Sequence, residues 1–200
     1  MDYGLHSLWA TPVMRFKIQN IDITNQFIQY LFTNINIQTP PCDSEKHDII
    51  RDGNEICQAF KEQVIDPAFD TYIKSISNES LADFKNYQYQ TSIRPVGTGS
   101  IIECHNHQTS VVSAVFYLLC DETDKGGTIK LLDPKTHSER GYNGHFPMLF
   151  KSEEFIPNTG DILMFPSYLY HYTNQFMGSI RLLLAVDLYH KDLEGTGVSS

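Results

Sequence analysis

The hydrophobic positions in the first third of the chain follow helical spacing after one short opening strand. Residues 13–18 alternate weakly and end in a polar turn, which predicts a strand. Thr24 is expected to cap the first helix, because its hydroxyl can accept an unpaired backbone N–H. The apolar stripe of that helix is Phe27, Ile28, Leu31, Phe32 and Ile35. A second helix is predicted over 54–65, and Asp66-Pro67 is typical of the N-cap and first turn of a third.

From about residue 85 the pattern changes to short apolar runs, rich in β-branched and aromatic residues and separated by turn signals. Seven strands are predicted, over 86–93, 100–105, 111–119, 127–132, 145–150, 161–166 and 180–189. Strands at this spacing favour an antiparallel sandwich or jelly roll. We therefore predict a mainly β chain of the α+β class, in which the N-terminal helices pack on one face of the jelly roll.

The length of 200 residues favours a single domain over 1–200. Within it, residues 1–84 would supply the first strand and the supporting helices, and 85–190 the β core. Residues 191–200 are expected to form a flexible tail. The loops 36–53 and 134–148 are the expected lids or specificity segments, because binding residues concentrate on loops held by a rigid scaffold.

Composition narrows the classes of partner. The chain carries 15 Lys and Arg against 24 Asp and Glu, a net charge of −9, whereas nucleic-acid binding needs a basic face. No basic, apolar leader and no run near the ~20 residues of a membrane span are present. Four cysteines without a Cys-x-x-Cys pair are typical of reduced cytosolic thiols; they are Cys42, Cys57, Cys104 and Cys120. We expect a cytoplasmic protein with no nucleic-acid or membrane partner.

Polar residues that could bind a metal interrupt the apolar pattern in two places, at 105–107 and at 171. In a strand, His105 and His107 would face the same side as Glu103. An isolated pair of this kind is as often a surface feature. The ordered set adds His171 after an apolar strand and Arg181 at the start of the next. Together they predict a metal site in which His105, His107 and His171 are the ligands. Glu103 stays open as a ligand in place of His107, or as a partner that orients an imidazole.

This ordered set resembles the 2-oxoglutarate and iron(II)-dependent oxygenase family over about residues 87–189. The motifs that carry the resemblance are His105-Asn106-His107, the segments 114–118, 126–129, 157–161 and 165–167, and then His171 and Arg181. The opening residues 8–13 are similar to an uncharacterised branch of that family, which has His-x-His in place of His-x-Asp. Most members supply one carboxylate ligand, and His107 stands at that place here.

The resemblance implies a double-stranded β-helix, also described as a cupin-like barrel. It also implies a dioxygenase that uses iron(II), 2-oxoglutarate and dioxygen, with ascorbate as a candidate reductant. Such an enzyme oxidises an unidentified small-molecule or peptide substrate and releases succinate and carbon dioxide. Three protein ligands leave open positions on iron for cosubstrate and dioxygen. Arg181 would hold the C5 carboxylate of 2-oxoglutarate. Tyr117 and Ser113, on one strand face, would line the cosubstrate site.

Two other function classes stay open on the sequence. A cupin-type three-histidine metal dioxygenase fits the spacing from Gly99 to His105, but Val111 and Val112 stand where the cupin motif requires Glu. A non-catalytic jelly-roll binding module is the other. Turnover of 2-oxoglutarate to succinate discriminates these classes. The oligomeric state is not determined, and a homodimer remains open.

Overall fold

This computed structural model describes residues 10–35, 48–50, 53–120, 126–134 and 152–193. Its elements are β1 (Met14–Lys17), α1 (Ile21–Asn34), α2 (Glu55–Phe60), a π-helical turn (Lys61–Ile65), α3 (Asp66–Ile76), a 3₁₀ turn (Leu81–Asp83), β2 (Tyr87–Gly97), β3 (Ser110–Leu119), β4 (Ile129–Leu131), β5 (Glu153–Phe155), β6 (Asp161–Pro166), β7 (His171–Thr173), β8 (Ile180–His190) and a final 3₁₀ turn (Lys191–Leu193). Within these residues, no helix combines the length and the apolar character needed to cross a membrane.

Helix α1 begins before the residue predicted to cap it. The side chain of Asn20 accepts a hydrogen bond from the backbone N–H of Ile23 and is the true N-cap. Thr24 is buried inside the helix, and its hydroxyl donates to the backbone carbonyl of Asn20 at 2.7 Å. The cap predicted at Thr24 is therefore wrong, because its hydroxyl bonds back to the preceding turn and Asn is at least as good a cap as Thr.

The predicted break between the second and third helices is also absent. Asn54 caps α2 by accepting from the N–H of Ile56 at 2.9 Å, and helical structure then continues through the π turn into α3. Asp66 does not cap a new helix; its carboxylate accepts a hydrogen bond from the Lys61 ammonium at 2.8 Å. Pro67 is tolerated because it follows a wider π turn, in which the α-type hydrogen bond it cannot make is already replaced.

Two antiparallel sheets form the β core, and they confirm the predicted jelly-roll class. The larger sheet has five strands in the order β1-β6-β3-β8-β2, and the smaller has three in the order β5-β4-β7. Strand β8, which contributes to the site described below, pairs along its length with β3 on one side and β2 on the other. Strand β2 is the outermost strand at its end of the larger sheet.

Most predicted strands are confirmed, and the exceptions have physical reasons. The four long runs became β2, β3, β6 and β8, and 127–132 became the shorter β4. No regular strand forms over 100–105, because the hydroxyl of Thr173 accepts the N–H of Ile102 and interrupts the ladder. Strands β5 and β7 were not predicted, since three residues are too few to show periodicity. The predicted strand 145–150 lies outside the described residues.

The larger sheet separates two apolar cores. One core packs against the helices, where Phe27 and Phe60 stack with ring centroids 4.1 Å apart. Burial of a side chain of this size contributes about 1.5–3 kcal/mol. The other core lies between the two sheets, on what we call the inner face. The residues that define the inner face are Val96, Tyr117, Leu163, Phe165 and Leu183. Side-chain alternation along β8 therefore decides which residues face the site.

Candidate metal centre

Three histidines come together at the edge where the smaller sheet meets the inner face. His105 and His171 form an isolated antiparallel bridge, in which each backbone N–H donates to the other's carbonyl, at 3.0 and 2.8 Å. The backbone N–H of His107 donates to the carbonyl of Ser167 at 3.0 Å. The segment 167–171 thus fixes both ends of the His-x-His motif, although that motif is not part of a regular strand.

The side chains of these histidines converge. One ligand nitrogen from each of His105, His107 and His171 lies within 4.8 Å of the others. Their ring centroids are 4.3 to 5.2 Å apart. In the described part of the chain, this is the one cluster of three or more potential metal-ligating side chains. The sequence alternative, Glu103, is exposed and outside the cluster; it contributes only its backbone carbonyl.

Hydrogen bonds at Nδ1 determine which nitrogen of each ring faces the centre. Nδ1 of His105 donates to the carbonyl of Glu103 at 2.7 Å, and Nδ1 of His171 to the carbonyl of Leu169 at 3.0 Å. A carbonyl can only accept, so both Nδ1 atoms carry the proton. This tautomer leaves a lone pair on Nε2, the form of imidazole that binds metals.

Burial keeps two of the three rings neutral. Burial is the main cause that lowers the pKa of His105, and the charges of His107 and Arg94 act in the same direction. His171 is only 5% exposed, and burial lowers its pKa to about 4. Neutral imidazoles are the state that metal coordination requires.

His107 is held by a carboxylate that the sequence analysis missed. Its Nδ1 lies 2.6 and 2.7 Å from the two carboxylate oxygens of Asp187. The hydroxyl of Ser113 donates to the same carboxylate at 2.6 Å. Ser113 also lies 2.8 Å from the Ser167 hydroxyl; because its own proton is used on Asp187, Ser167 is the donor there. The Asp187 carboxylate therefore accepts hydrogen bonds from both His107 and Ser113.

A sequence signal for Asp187 existed. It is the one acidic residue in the strand 180–189, whose one basic residue is Arg181, six positions earlier. An even spacing in a strand places both residues on one face. Cross-strand register agrees, since Asp187 lies opposite Ser113 of β3. Ser113, predicted to line the cosubstrate site, thus contacts Asp187 and, through it, His107.

Arg181 is buried, with 3% of its surface exposed. Its guanidinium donates to the backbone carbonyls of Gly127 and Gly126 and stacks on the ring of Phe176 at 4.6 Å. Gly127 adopts a positive φ of 62°, and a Cβ there would lie 2.5 Å from the guanidinium. The Gly-Gly turn is therefore shaped to accommodate this arginine.

Tyr117 lies on the inner face and is also buried. Burial raises the pKa of its hydroxyl, while the positive charge of Arg181 opposes that rise. Tyr117 consequently keeps its proton across the physiological range and can act as a hydrogen-bond donor beside a cation.

Comparison with known proteins supports the resemblance. Residues 94–187 match a family model described as "Putative 2OG-Fe(II) oxygenase". Among curated proteins, none matches the chain. A Pseudomonas putida prolyl-4-hydroxylase is similar in structure, with a TM-score of 0.58 at 17% identity over 92% of this chain and 90% of that one.

Two further solved structures are similar. HygX from Streptomyces hygroscopicus, with nickel and 2-oxoglutarate bound, has a TM-score of 0.59 at 13% identity, over 90% of this chain and 83% of that one. A Trichoplax adhaerens prolyl hydroxylase in complex with a peptide fragment of hypoxia inducible factor has a TM-score of 0.60 at 11% identity, over 94% and 87%. The chain spans 57% of a matching Burkholderia pseudomallei oxidoreductase of the 2OG-Fe(II) oxygenase family.

At these identities the structural matches establish the fold, which is the double-stranded β-helix that the resemblance implied. The family model covers the sequence from Arg94, on β2, to Asp187, on β8, and so includes all three clustered histidines and Arg181. The predicted resemblance to the 2-oxoglutarate and iron(II)-dependent oxygenase family is thereby confirmed over these residues.

Proposed function

We propose that His105, His107 and His171 bind the iron(II) of a 2-oxoglutarate-dependent dioxygenase that hydroxylates or otherwise oxidises an unidentified substrate. The observation that carries the proposal is the convergence of three imidazole nitrogens within 4.8 Å. Imidazole suits divalent iron, and three ligands on one side leave positions open. When bound, iron(II) with 2-oxoglutarate supplies the oxidising power for dioxygen chemistry, with release of succinate and carbon dioxide.

The donor set fits iron even though it lacks the carboxylate ligand of most family members. A hydrogen-bonded carboxylate behind a metal-binding imidazole fixes its tautomer and raises its basicity. Asp187 occupies that position behind His107. The negative charge is therefore one hydrogen bond away from the ligand set, instead of inside it.

Arg181 is assigned to the C5 carboxylate of 2-oxoglutarate. It is a buried cation on the inner face of β8, at the end of that strand farthest from Asp187. Its planar fork can donate two parallel hydrogen bonds to a carboxylate. Tyr117, a neutral donor nearby, is assigned to the same cosubstrate.

The substrate class is open between small molecules and peptides. One similar structure holds a peptide and another holds 2-oxoglutarate with nickel, and these facts belong to those proteins. We propose the same range for this chain and a single domain over 1–200.

The test is metal and cosubstrate binding, followed by turnover. The His105→Ala, His107→Ala and His171→Ala variants are each titrated with iron(II) under anaerobic conditions. The control is His190→Ala, at a histidine at the end of β8 that pairs with Asp192 outside the cluster. We expect each cluster variant to lose at least tenfold in iron affinity and the control to match wild type.

Wild-type protein loaded with iron is then mixed with 2-oxoglutarate and ascorbate in air, and succinate is measured against an iron-free sample. Glu103→Ala is included because Glu103 was the alternative ligand. Loss of iron in Glu103→Ala, with retention in His107→Ala, would contradict the ligand assignment. Iron-loaded protein that neither binds nor consumes 2-oxoglutarate would contradict the function.

A further inference from the structure

A second arginine lies on the inner face beside the candidate metal centre. Residues that pair directly across antiparallel strands have side chains on the same face. Arg94 of β2 pairs with Leu183 of β8, and Leu183 pairs in turn with Tyr117 of β3. Leu183 and Tyr117 define the inner face, so Arg94 faces the site. The next position on that face of β2, two residues back, is Ser92, which pairs with Ala185.

Both side chains contain a buried polar atom without a partner. Nε of Arg94 and the hydroxyl oxygen of Ser92 are shielded from solvent and have no hydrogen-bond partner in the described part of the chain. Leaving one such group unsatisfied typically costs about 1–3 kcal/mol, and more when it is charged. Two of them, adjacent on one strand face, indicate a place where a ligand supplies acceptors for both, since the Arg94 N–H and the Ser92 O–H can each donate.

The surroundings of Arg94 differ from those of Arg181. Two glycine carbonyls and the ring of Phe176 enclose Arg181. Arg94 is only half-buried, and it belongs to the outermost strand of the larger sheet. Arg94 thus lies at the open rim of the site, whereas Arg181 lies deep within it.

We propose that Arg94 and Ser92 form a subsite for an oxyanion of the oxidised substrate, a carboxylate or a phosphate group. The inference rests on the proposed function, since it names the chemistry of what the same site oxidises. An arginine fork with an adjacent hydroxyl can hold two oxygens of one anion. The net charge of −9 disfavours a polyanion, so the ligand is a small molecule, or a peptide, with one such group near the reacting carbon.

The test uses protein loaded with Mn(II), so that no turnover occurs, with and without saturating 2-oxoglutarate. Thermal unfolding is measured in sodium phosphate and in sodium benzoate, against sodium chloride at matched ionic strength. A ligand that binds the folded state raises the melting temperature with concentration, which gives an apparent Kd. The variants are Arg94→Gln, Arg94→Lys and Ser92→Ala. Lys74→Gln is the control, because it removes one positive charge from an exposed helix surface.

We expect at least one anion to stabilise the wild type and Lys74→Gln, with an apparent Kd about tenfold or more weaker in Arg94→Gln. Arg94→Lys should fall between, because it keeps the charge but loses the fork. A response to benzoate alone assigns a carboxylate, and a response to phosphate alone assigns a phosphate. If Arg94→Gln fails to fold, Ser92→Ala and Arg94→Lys decide the question by the same shift.

Three outcomes overturn the subsite: neither anion stabilises the wild type, all Arg94 and Ser92 variants respond as the wild type does, or Arg94→Gln loses 2-oxoglutarate affinity as Arg181→Gln does. In the last case Arg94 is a cosubstrate ligand. A different outcome is that the wild type fails to bind 2-oxoglutarate while an anion still raises the melting temperature in the samples without 2-oxoglutarate. That result would contradict the proposed dioxygenase function but would still support the anion subsite.

Discussion

Replacing Asp187 by Asn tests whether the carboxylate behind His107 supports metal binding. The carboxylate accepts from Nδ1 of His107 at 2.6 and 2.7 Å and from the Ser113 hydroxyl at 2.6 Å. An amide of the same shape has one acceptor and one donor. Since both neighbours donate, one contact would then bring two donors together, and the charge that polarises the imidazole would be lost.

The expected magnitude follows from these contacts. Hydrogen bonds to a charged group contribute about 1.5–3 kcal/mol, and loss of a hydrogen-bonded partner behind a metal ligand typically costs 10–100-fold in affinity. We expect Asp187→Asn to bind iron(II) roughly 10- to 100-fold more weakly. Ser113→Ala should cost less, about threefold to tenfold, because it removes one of the carboxylate's donors and leaves the charge.

The assay is anaerobic competition between the protein and a colorimetric iron(II) chelator, with circular dichroism to confirm folding. Asp192→Asn is the matched control, because Asp192 is exposed and faces His190 at 3.4 Å, away from the cluster. The reasoning is refuted if Asp187→Asn folds and binds iron within twofold of the wild type. Equal losses in Asp187→Asn and Asp192→Asn would also refute it, since they would indicate a general charge effect.

Four further results are expected. Arg181→Gln should weaken 2-oxoglutarate binding about 30-fold or more in calorimetry while iron affinity stays within threefold, because only the bidentate charge partner is lost; unchanged cosubstrate affinity would remove the assignment. Tyr117→Phe should weaken the same binding by about 1–2 kcal/mol, the value of one hydrogen bond, with unchanged melting temperature as its control. Gly127→Ala should lower both the melting temperature and the 2-oxoglutarate affinity, because its Cβ would lie 2.5 Å from the Arg181 guanidinium at a φ of +62°; wild-type values in both measurements would contradict this. Metal-free protein should lose about 3 kcal/mol in free energy of unfolding as the pH falls from 6.5 to 4, because the pKa of His171 is near 6.5 in the unfolded chain and about 4 in the folded chain. The check is a urea titration across this pH range; a His171→Gln variant whose urea midpoint falls as much as that of the wild type would exclude His171 as the cause.

Long periodic segments were predictable from sequence, because their patterns span several side chains. The four long strands and the body of α1 followed directly from spacing. Helix ends were less predictable, since the outcome at Thr24 depends on whether a hydroxyl bonds within its own helix or caps it. Short strands such as β7 depend on a partner distant in the chain, and no local pattern encodes that partner.

The residues of the candidate site also differ in how far they could be predicted from the sequence. The histidines and Arg181 interrupt apolar sequence and can be found by their order, whereas the contact between His107 and Asp187 joins residues 80 positions apart. Only the register between β3 and β8 brings Ser113 and Asp187 together. The side of the sheet that Arg94 faces became clear only from the pairing of β2 with β8.

The chain's departure from the family's ligand pattern and the buried carboxylate of Asp187 explain each other. With His107 in place of a carboxylate, the clustered side chains bring no negative charge of their own, because neutral imidazole is the binding form. Asp187, which accepts a hydrogen bond from Ser113, places one negative charge next to the cluster, one hydrogen bond away from the ligand His107. The inner face thus pairs one anion near the histidines with two cations, Arg181 in its depth and Arg94 at its rim. That arrangement disfavours a cationic substrate group near Arg94 and favours an anionic one, which is the polarity that the subsite experiment measures.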